Sequence, residues 1–365
     1  MKEHQTIQST VYRLVKPGVF KEENIQRKFQ ENHVIVTPYM ASVCHADLRY
    51  FNGDRRLEAL EKKLPMALFH EGIGRVNHSK HPSFKKGDRV VIVPNIPGYV
   101  LHQTKKEECC YVCLNEKYPN YCVNGVFLAS GYDGISQSNL IINGENLVKI
   151  PDEIKDDIAI LAELCSVSLY AINRIPNIKK TNGKIGVFGD GPVGYLTATA
   201  LHYIYDIPKD DLIVFGANRE KLQQFESFSH TRLVHDFDFS KEVGIHTIFE
   251  CTGSQFSSTA INQAISIINR EGTIVLMGVS EELVPINTRD VLEKGLHLIG
   301  SSRSTVHEFE QLMKAFQQEN YLKALQKLIP SNHLEITSTE DLENAMYQVS
   351  EQKGWQKTYL SFKWS

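Results

Sequence analysis

Four of the chain's seven cysteines crowd one stretch, "EECCYVCLNEKYPNYC", Glu107 to Cys122. Sulfur at such density suits a disulfide knot, a redox switch, a metal-held lobe or the active site itself. An odd total of seven fits a full disulfide framework poorly, and a reducing compartment shifts clustered thiols toward metal or catalysis. A second set is scattered. Cys44 follows an apolar β-like run in "SVCHADLRYFNG". His70 and Glu71 stand in "LPMALFHEGIGRV", between an apolar approach and a Gly-x-Gly turn. Glu163 interrupts the apolar "AILAELCSVSLYA", where an unpaired carboxylate is costly and calls for a cation or dense hydrogen bonding. Thiolate, imidazole and carboxylate together are zinc donors, and a catalytic zinc keeps one position open. Each residue also has a plain reading: Cys44 as a small core hydrophobe, His70 as an interior histidine, Glu163 as a partner for a buried cation. Cys165, on the helix of Glu163, competes as a ligand.

A third group is made for a dinucleotide. "KIGVFGDGPVGYLTATALHYIY" sets Gly189, Gly191 and Gly194 directly after a strand and at the start of a helix. That spacing permits a tight turn, close approach of backbone to a pyrophosphate, and close helix packing, with the helix N-terminus facing the anion. The next strand, "DLIVFGANREK", ends at Gly216, where an NAD site usually carries an acid; Arg219 and Lys221 follow. Loss of the anion and gain of cations suit a 2′-phosphate, so NADPH is the expected cofactor. Cys251, in "FECTG", is read as lining the cofactor pocket.

These groups need elements to hold them. Up to about residue 150, short β segments ("HVIVTPYM", "GIGRVNH", "DRVVIVPN") alternate with turns and suggest a partly open β-barrel. Residues 152–175 carry acids in their first turn and stop before Pro176, which predicts a helix. Then "KIGVF", "DLIVF", "HTIFE", "GTIVLMG" and "LHLIG" alternate with helical stretches such as "NREKLQQFESF" and "SSTAINQAISIIN", the pattern of a doubly wound parallel sheet. The β-like run "KTYLSFKW" is expected to rejoin the first domain. The expected division is a catalytic domain over 1–173 and 301–365, with the cysteine loop at 107–122, and a dinucleotide-binding domain over 174–300.

At 365 residues, 42% hydrophobic and 23% charged, the chain has material for two cores. A net charge of -3 gives no basic field for nucleic acid or a membrane surface. The polar start "MKEHQTIQST" lacks a signal-peptide core, and no apolar run spans a bilayer. A cytoplasmic location is the resulting expectation.

"VCHAD" with Gly53, "FHEGIGRV", "FKKGDRVV", "AELCSVSLYAI" and "GDGPVG" together resemble the zinc-dependent medium-chain dehydrogenase/reductase family, over essentially the whole chain. The resemblance implies α/β architecture: a Rossmann doubly wound parallel sheet plus a discontinuous GroES-like β-barrel catalytic domain. It maps the catalytic zinc onto Cys44, His70, Glu71 and Glu163. "YMASVCHADLRYFNGDRR", "KLPMALFHEGIG", "INTRDVLEKGLHLIGSSRS" and "WQKTYLSFKW" resemble, more narrowly, the ribulose-5-phosphate reductases of teichoic-acid and capsule synthesis. That implies NADPH-dependent, zinc-assisted reduction of D-ribulose 5-phosphate to D-ribitol 5-phosphate on the route to CDP-ribitol.

Two departures from the family stand out. Ala46 occupies a position where many members carry a Ser or Thr proton relay; Tyr50, Glu71 and His45 are the alternatives. The family's structural-zinc spacing, C-x2-C-x2-C-x7-C, fits Cys110 and Cys113, runs one residue long to Cys122, and puts Glu107 at the first position, with Cys109 as its replacement. A sugar phosphate needs an anion anchor, and Arg49 and Arg55, in a cationic stretch with Arg56, Lys62 and Lys63, are the candidates; Arg303 is a further anion-binding candidate. The resemblance also implies a homodimer or homotetramer. The rival readings are a zinc polyol dehydrogenase for an unphosphorylated sugar alcohol and, more distantly, a non-catalytic zinc-binding module.

Overall fold

The computed structural model describes residues 5–114, 119–180, 183–241, 243–352 and 354–364. Residues 115–118 of the cysteine loop lie outside them. Two compact units emerge: Met1–Glu163 with Ser304–Gln317 and Lys327–Ser365, and Leu164–Arg303 with Gln318–Gln326.

The first unit is built on β-structure. Strand His33–Ser42 pairs antiparallel with Glu71–Ser79, with Leu140–Asn143 and with the late strand Tyr359–Phe362. The last pairing sets Tyr359 opposite Ser42 and Leu360 opposite Ala41, so the C-terminal run returns to the first unit. It does so because Leu360 and Phe362 belong to the same buried core as Val34, Val36, Phe69 and Ile92. A second sheet joins Val19–Phe29, Gln5–Lys16 and Met66–Ala67. These pairings bring Ser42, Cys44 and Glu71 to one end of the sheet, with Ser42 opposite Glu71.

The second unit carries a parallel sheet in the order His230–Leu233, Leu212–Gly216, Lys184–Phe188, Ile245–Glu250, Ile268–Leu276, His297–Gly300. In chain order this is 3-2-1-4-5-6, with the switch point beside the first strand. Short runs rich in Ile, Val and Phe fill it because both faces are covered; Ile213, Phe215, Ile248 and Ile274 are buried with Ala264 and Ile265 of helix Ser257–Ile267.

Three local features differ from the sequence expectation. The helix expected over 152–175 is two helices, Asp156–Ala159 and Ala162–Asn173. Ile160, Leu161 and Ala162 are all fully or nearly fully buried, so no single face sets a helical period and packing governs the break. The helix expected in "NREKLQQFESF" is only Arg219–Gln223, capped by the Asn218 side chain on the Lys221 amide. The contact boundary falls at Glu163, where 173 was expected, and 318–326 joins the second unit: the Tyr195 hydroxyl donates to the Ala324 carbonyl at 3.0 Å.

Candidate active site and metal centres

Cys44 is the N-cap of helix His45–Phe51, which directs its sulfur back over the first turn. His70 immediately precedes strand Glu71–Ser79, which Glu71 opens. One donor atom each from Cys44, His70 and Glu71 lies within 4.8 Å of the other two. Donors bound ~2.0–2.3 Å from a common tetrahedral centre lie ~3.3–3.8 Å apart, so this trio needs little movement to close on zinc. Glu163 falls outside that group of three, yet its carboxylate is buried and interacts electrostatically with His70, Glu71, Lys357 and Asp47. The donor chemistry of sulfur, nitrogen and carboxylate oxygen fits zinc.

Two residues unremarked in the sequence complete the arrangement. Asp47 is buried. Its Oδ2 accepts from the Cys44 amide at 2.9 Å, its Oδ1 accepts from the Phe69 amide at 3.2 Å, and Oδ1 stands 3.7 Å from Nδ1 of His70. It thus braces both donor segments. Lys357 donates from Nζ to Oε1 of Glu71 at 3.0 Å and to the Val43 carbonyl at 2.8 Å. Asp47 was recognisable as the capping-box acid three residues after Cys44; Lys357 had no local signal.

Charge and burial set the protonation. Burial lowers the His70 pKa, but Asp47, Cys44 and Glu163 outweigh it and leave it well above the ordinary value. Burial raises Glu71, while Lys357 and His70 bring it below the usual carboxylate range. Burial, reinforced by Glu71 and Asp47 and opposed by His70 and Lys357, pushes Glu163 up to about 7. The His45 ring reaches solvent, yet desolvation first, then Lys357 and Arg49, lower its pKa.

Tyr50 is 2% exposed. Its hydroxyl accepts from Lys63 Nζ at 3.0 Å, and the same ammonium donates to Ser130 Oγ at 3.0 Å. The Arg55 guanidinium lies 4.6 Å from the centre of the Tyr50 ring. Arg55 and Lys63 therefore gather at Tyr50, a cationic cluster in which the Tyr50 and Ser130 hydroxyls accept hydrogen bonds from the lysine. Arg49, on the same short helix, is half-buried and lowers the His45 pKa.

The cysteine loop forms a separate cluster. Cys109, Cys110, Cys113 and Cys122 bring their sulfurs within 4.8 Å of one another. Three separations are 3.5 Å (Cys109–Cys122), 3.5 Å (Cys110–Cys113) and 3.8 Å (Cys110–Cys122). Disulfide sulfurs stand ~2.05 Å apart, whereas sulfurs on one tetrahedral zinc stand ~3.8 Å apart. The Gly98 amide donates to the Cys122 sulfur at 3.3 Å. Against desolvation, the Cys113 and Val123 amides bring Cys110 down to about 6. Glu107 is exposed and outside the cluster. Cys165 is buried beside Tyr321, away from both donor groups.

In the second unit, Gly189, Gly191 and Gly194 lead from strand Lys184–Phe188 into helix Pro192–Tyr203, with Gly191 as N-cap. Gly189 has a φ of 128°, and a Cβ on Gly194 would sit 2.0 Å from the Gly189 carbonyl. A Cβ on Gly191 would meet nothing within 4 Å, so packing within the protein does not require glycine there; a ligand drawn against the backbone would. Cys251 contacts Thr197 and Met277, and its carbonyl lies against Gly189. Arg219 and Lys221 follow Gly216 on Arg219–Gln223, with Arg219 paired to Asp236 at 3.2 Å. No described helix is long and apolar enough to cross a membrane.

A six-stranded nucleotide-type sheet, a glycine turn at its switch point and a thiol–imidazole–carboxylate site define a zinc-binding dehydrogenase. Residues 30–152 match the alcohol dehydrogenase GroES-like domain and residues 192–318 match the zinc-binding dehydrogenase domain; the chain belongs to this family and is an oxidoreductase of the alcohol dehydrogenase class. It is 37% identical to ribulose-5-phosphate reductase 1 of Staphylococcus aureus, over 97% of this chain and 98% of that one. Ribulose-5-phosphate reductase of Bacillus spizizenii is 34% identical over 96% and 98%. The crystal structure of S. aureus TarJ in complex with NADPH superposes with a TM-score of 0.80 at 34% identity, covering 98% of this chain and all (100%) of that one.

Proposed function

We propose that the chain reduces D-ribulose 5-phosphate to D-ribitol 5-phosphate with NADPH, on the route to CDP-ribitol. The carrying observation is near-full-length similarity to ribulose-5-phosphate reductases in a chain that gathers Cys44, His70 and Glu71. Cys44, His70, Glu71 and Glu163 would hold the catalytic zinc, and Cys109, Cys110, Cys113 and Cys122 a structural zinc. Zinc here supplies Lewis-acid polarisation of a carbonyl, and NADPH supplies the hydride.

The chain's own residues do the rest. The backbone of Gly189–Gly194 receives the pyrophosphate at the helix N-terminus. Arg219 and Lys221 take the 2′-phosphate. Asp47 fixes the His70 ring through its charge and the two amides it binds. Ala46 has no hydroxyl to relay a proton. Glu71 is held ionised by Lys357, which leaves the Tyr50 hydroxyl and the His45 imidazole to hand on the proton. Arg49 and Arg55 anchor the substrate phosphate, aided by Lys63. The active form is a homodimer or homotetramer in the cytoplasm.

The test compares NADPH-linked reduction of ribulose 5-phosphate with that of free ribulose and fructose. The phosphorylated sugar is expected to react with a kcat/KM on the order of a hundredfold higher, as loss of a charge-assisted anchor implies, and Arg55→Ala to raise KM for it alone. Equal use of the free sugar overturns the phosphate assignment in favour of a polyol dehydrogenase.

A further inference from the structure

The strand Leu212–Gly216 ends without an acid, yet a carboxylate is present there, supplied from another part of the chain. Asp190, the second residue of the glycine turn, accepts with Oδ2 from the Ala217 amide at 2.8 Å and from the Asn218 amide at 2.7 Å. The fit forbids a side chain at 216: a Cβ on Gly216 would lie 2.7 Å from Cβ of Asp190 and 2.8 Å from its Oδ2. Gly216 and Asp190 are therefore one arrangement, in which the acid is moved from the strand end to the facing turn. Both amide bonds use Oδ2, and Oδ1 takes part in neither. The Asn218 side chain caps the Lys221 amide at 2.9 Å, and the exposed Arg219 guanidinium reaches Asp236.

The end of this strand is where dinucleotide folds place the adenosine ribose, and an acid there accepts from its 2′-hydroxyl. We infer that Asp190 is a specificity-determining residue for the cofactor: its carboxylate accepts from the ribose of NADH and, by its charge, narrows the preference for NADPH. The inference rests on the reading that the glycine turn holds a nicotinamide dinucleotide. A 2′-phosphate carries about -1.5 to -2 charges. A like charge at the same end of the site, at an effective dielectric between protein surface and water, weakens its binding by on the order of tenfold. Arg219 and Lys221 pull the other way, so the chain accepts both cofactors.

Asp190→Asn keeps an acceptor oxygen of the same shape and removes the charge. Dissociation constants of NADPH and NADH, read from reduced-nicotinamide fluorescence on the full chain, test this without any substrate. The unaltered chain is expected to bind both. Asp190→Asn is expected to raise the ratio of NADPH to NADH affinity about tenfold, and Asp190→Ala, which also frees the two amides, to weaken both. An unchanged ratio in Asp190→Asn, or equal loss for both cofactors, overturns the inference while leaving the dinucleotide reading intact. Failure of the unaltered chain to bind either overturns both.

Discussion

Lys357 and Glu71 stand 286 positions apart in the chain and form a buried ion pair, with Nζ 2.9 Å from Oε2 and 3.0 Å from Oε1. The Glu71 side chain is 0% exposed and that of Lys357 is 10% exposed. Burial lowers the lysine pKa, but Glu71, Cys44 and Glu163 raise it further, so the ammonium stays charged. The pair ties strand Glu71–Ser79 to the segment leading into Tyr359–Phe362. Removing one member leaves the other charge buried and unpaired, which costs about 3–5 kcal/mol. Lys357→Met should therefore lower stability by that amount in denaturant unfolding. Adding Glu71→Gln should recover most of it, and a double variant no more stable than Lys357→Met alone would show the pair to be unimportant.

Asp47 would bear on a zinc at the proposed site through His70, whose Nδ1 stands 3.7 Å from its Oδ1. Outer-sphere carboxylates of this kind typically contribute 10–100-fold to metal affinity or activity. Asp47→Asn should weaken zinc at the open site by that factor in competition with a chromophoric chelator, with the cysteine-cluster metal retained. Unaltered affinity at both sites would remove Asp47 from the metal's support.

Glu163 gives a signed pH dependence. Its folded pKa, about 7, lies above its ordinary value of 4.5. Between those limits the folded state holds more protons than the unfolded, so this group makes metal-free protein less stable as pH rises from about 4.5 through about 7. If Glu163 binds zinc as proposed, the metal needs its carboxylate ionised, so metal occupancy should instead fall as pH drops below about 7. Glu163→Gln should stabilise chelator-treated protein at pH 8 by about 1–3 kcal/mol, have little effect at pH 5, and lose the open-site zinc. Parallel stability–pH curves for the two proteins would contradict this.

The cysteine cluster separates two candidate ligands. Cys109→Ser should drop bound zinc from two to one per chain and lower the melting temperature; Glu107→Gln should do neither. Metal counting with thermal unfolding decides it, and the reverse pattern would put Glu107 in the site.

Leu283 and Leu292 are 98% and 80% exposed, close in sequence to the edge strand His297–Gly300. Helix Thr288–Lys294 has no buried residue. Among the described residues strand His297–Gly300 pairs on one side only, and exposed apolar side chains of this size favour burial against a second copy. Leu283→Lys with Leu292→Lys should shift the sedimenting species to monomer, and an unchanged mass would exclude this face.

Much of the fold was legible because its signals are local. Short Ile/Val/Phe runs alternating with helical periods specify the parallel sheet, and Gly189, Gly191 and Gly194 carry their own conformational reasons. Cys44, His70 and Glu163 were visible as donor types in apolar surroundings. Periodicity could not bring them together, and the family resemblance proposed that they meet.

What only the tertiary structure decided depends on contacts between distant segments. The sequence determined two kinds of element, a glycine turn, a cysteine-rich loop and a donor set. Tertiary packing set Lys357 against Glu71, put Cys109 among the sulfurs while leaving Glu107 in solvent, and broke the helix at Ile160 and Leu161. It also showed that Gly216 is paired with an acid brought from the neighbouring turn. A residue's partner across the fold leaves no trace in its own neighbourhood, because burial and charge pairing are settled when the strands come together.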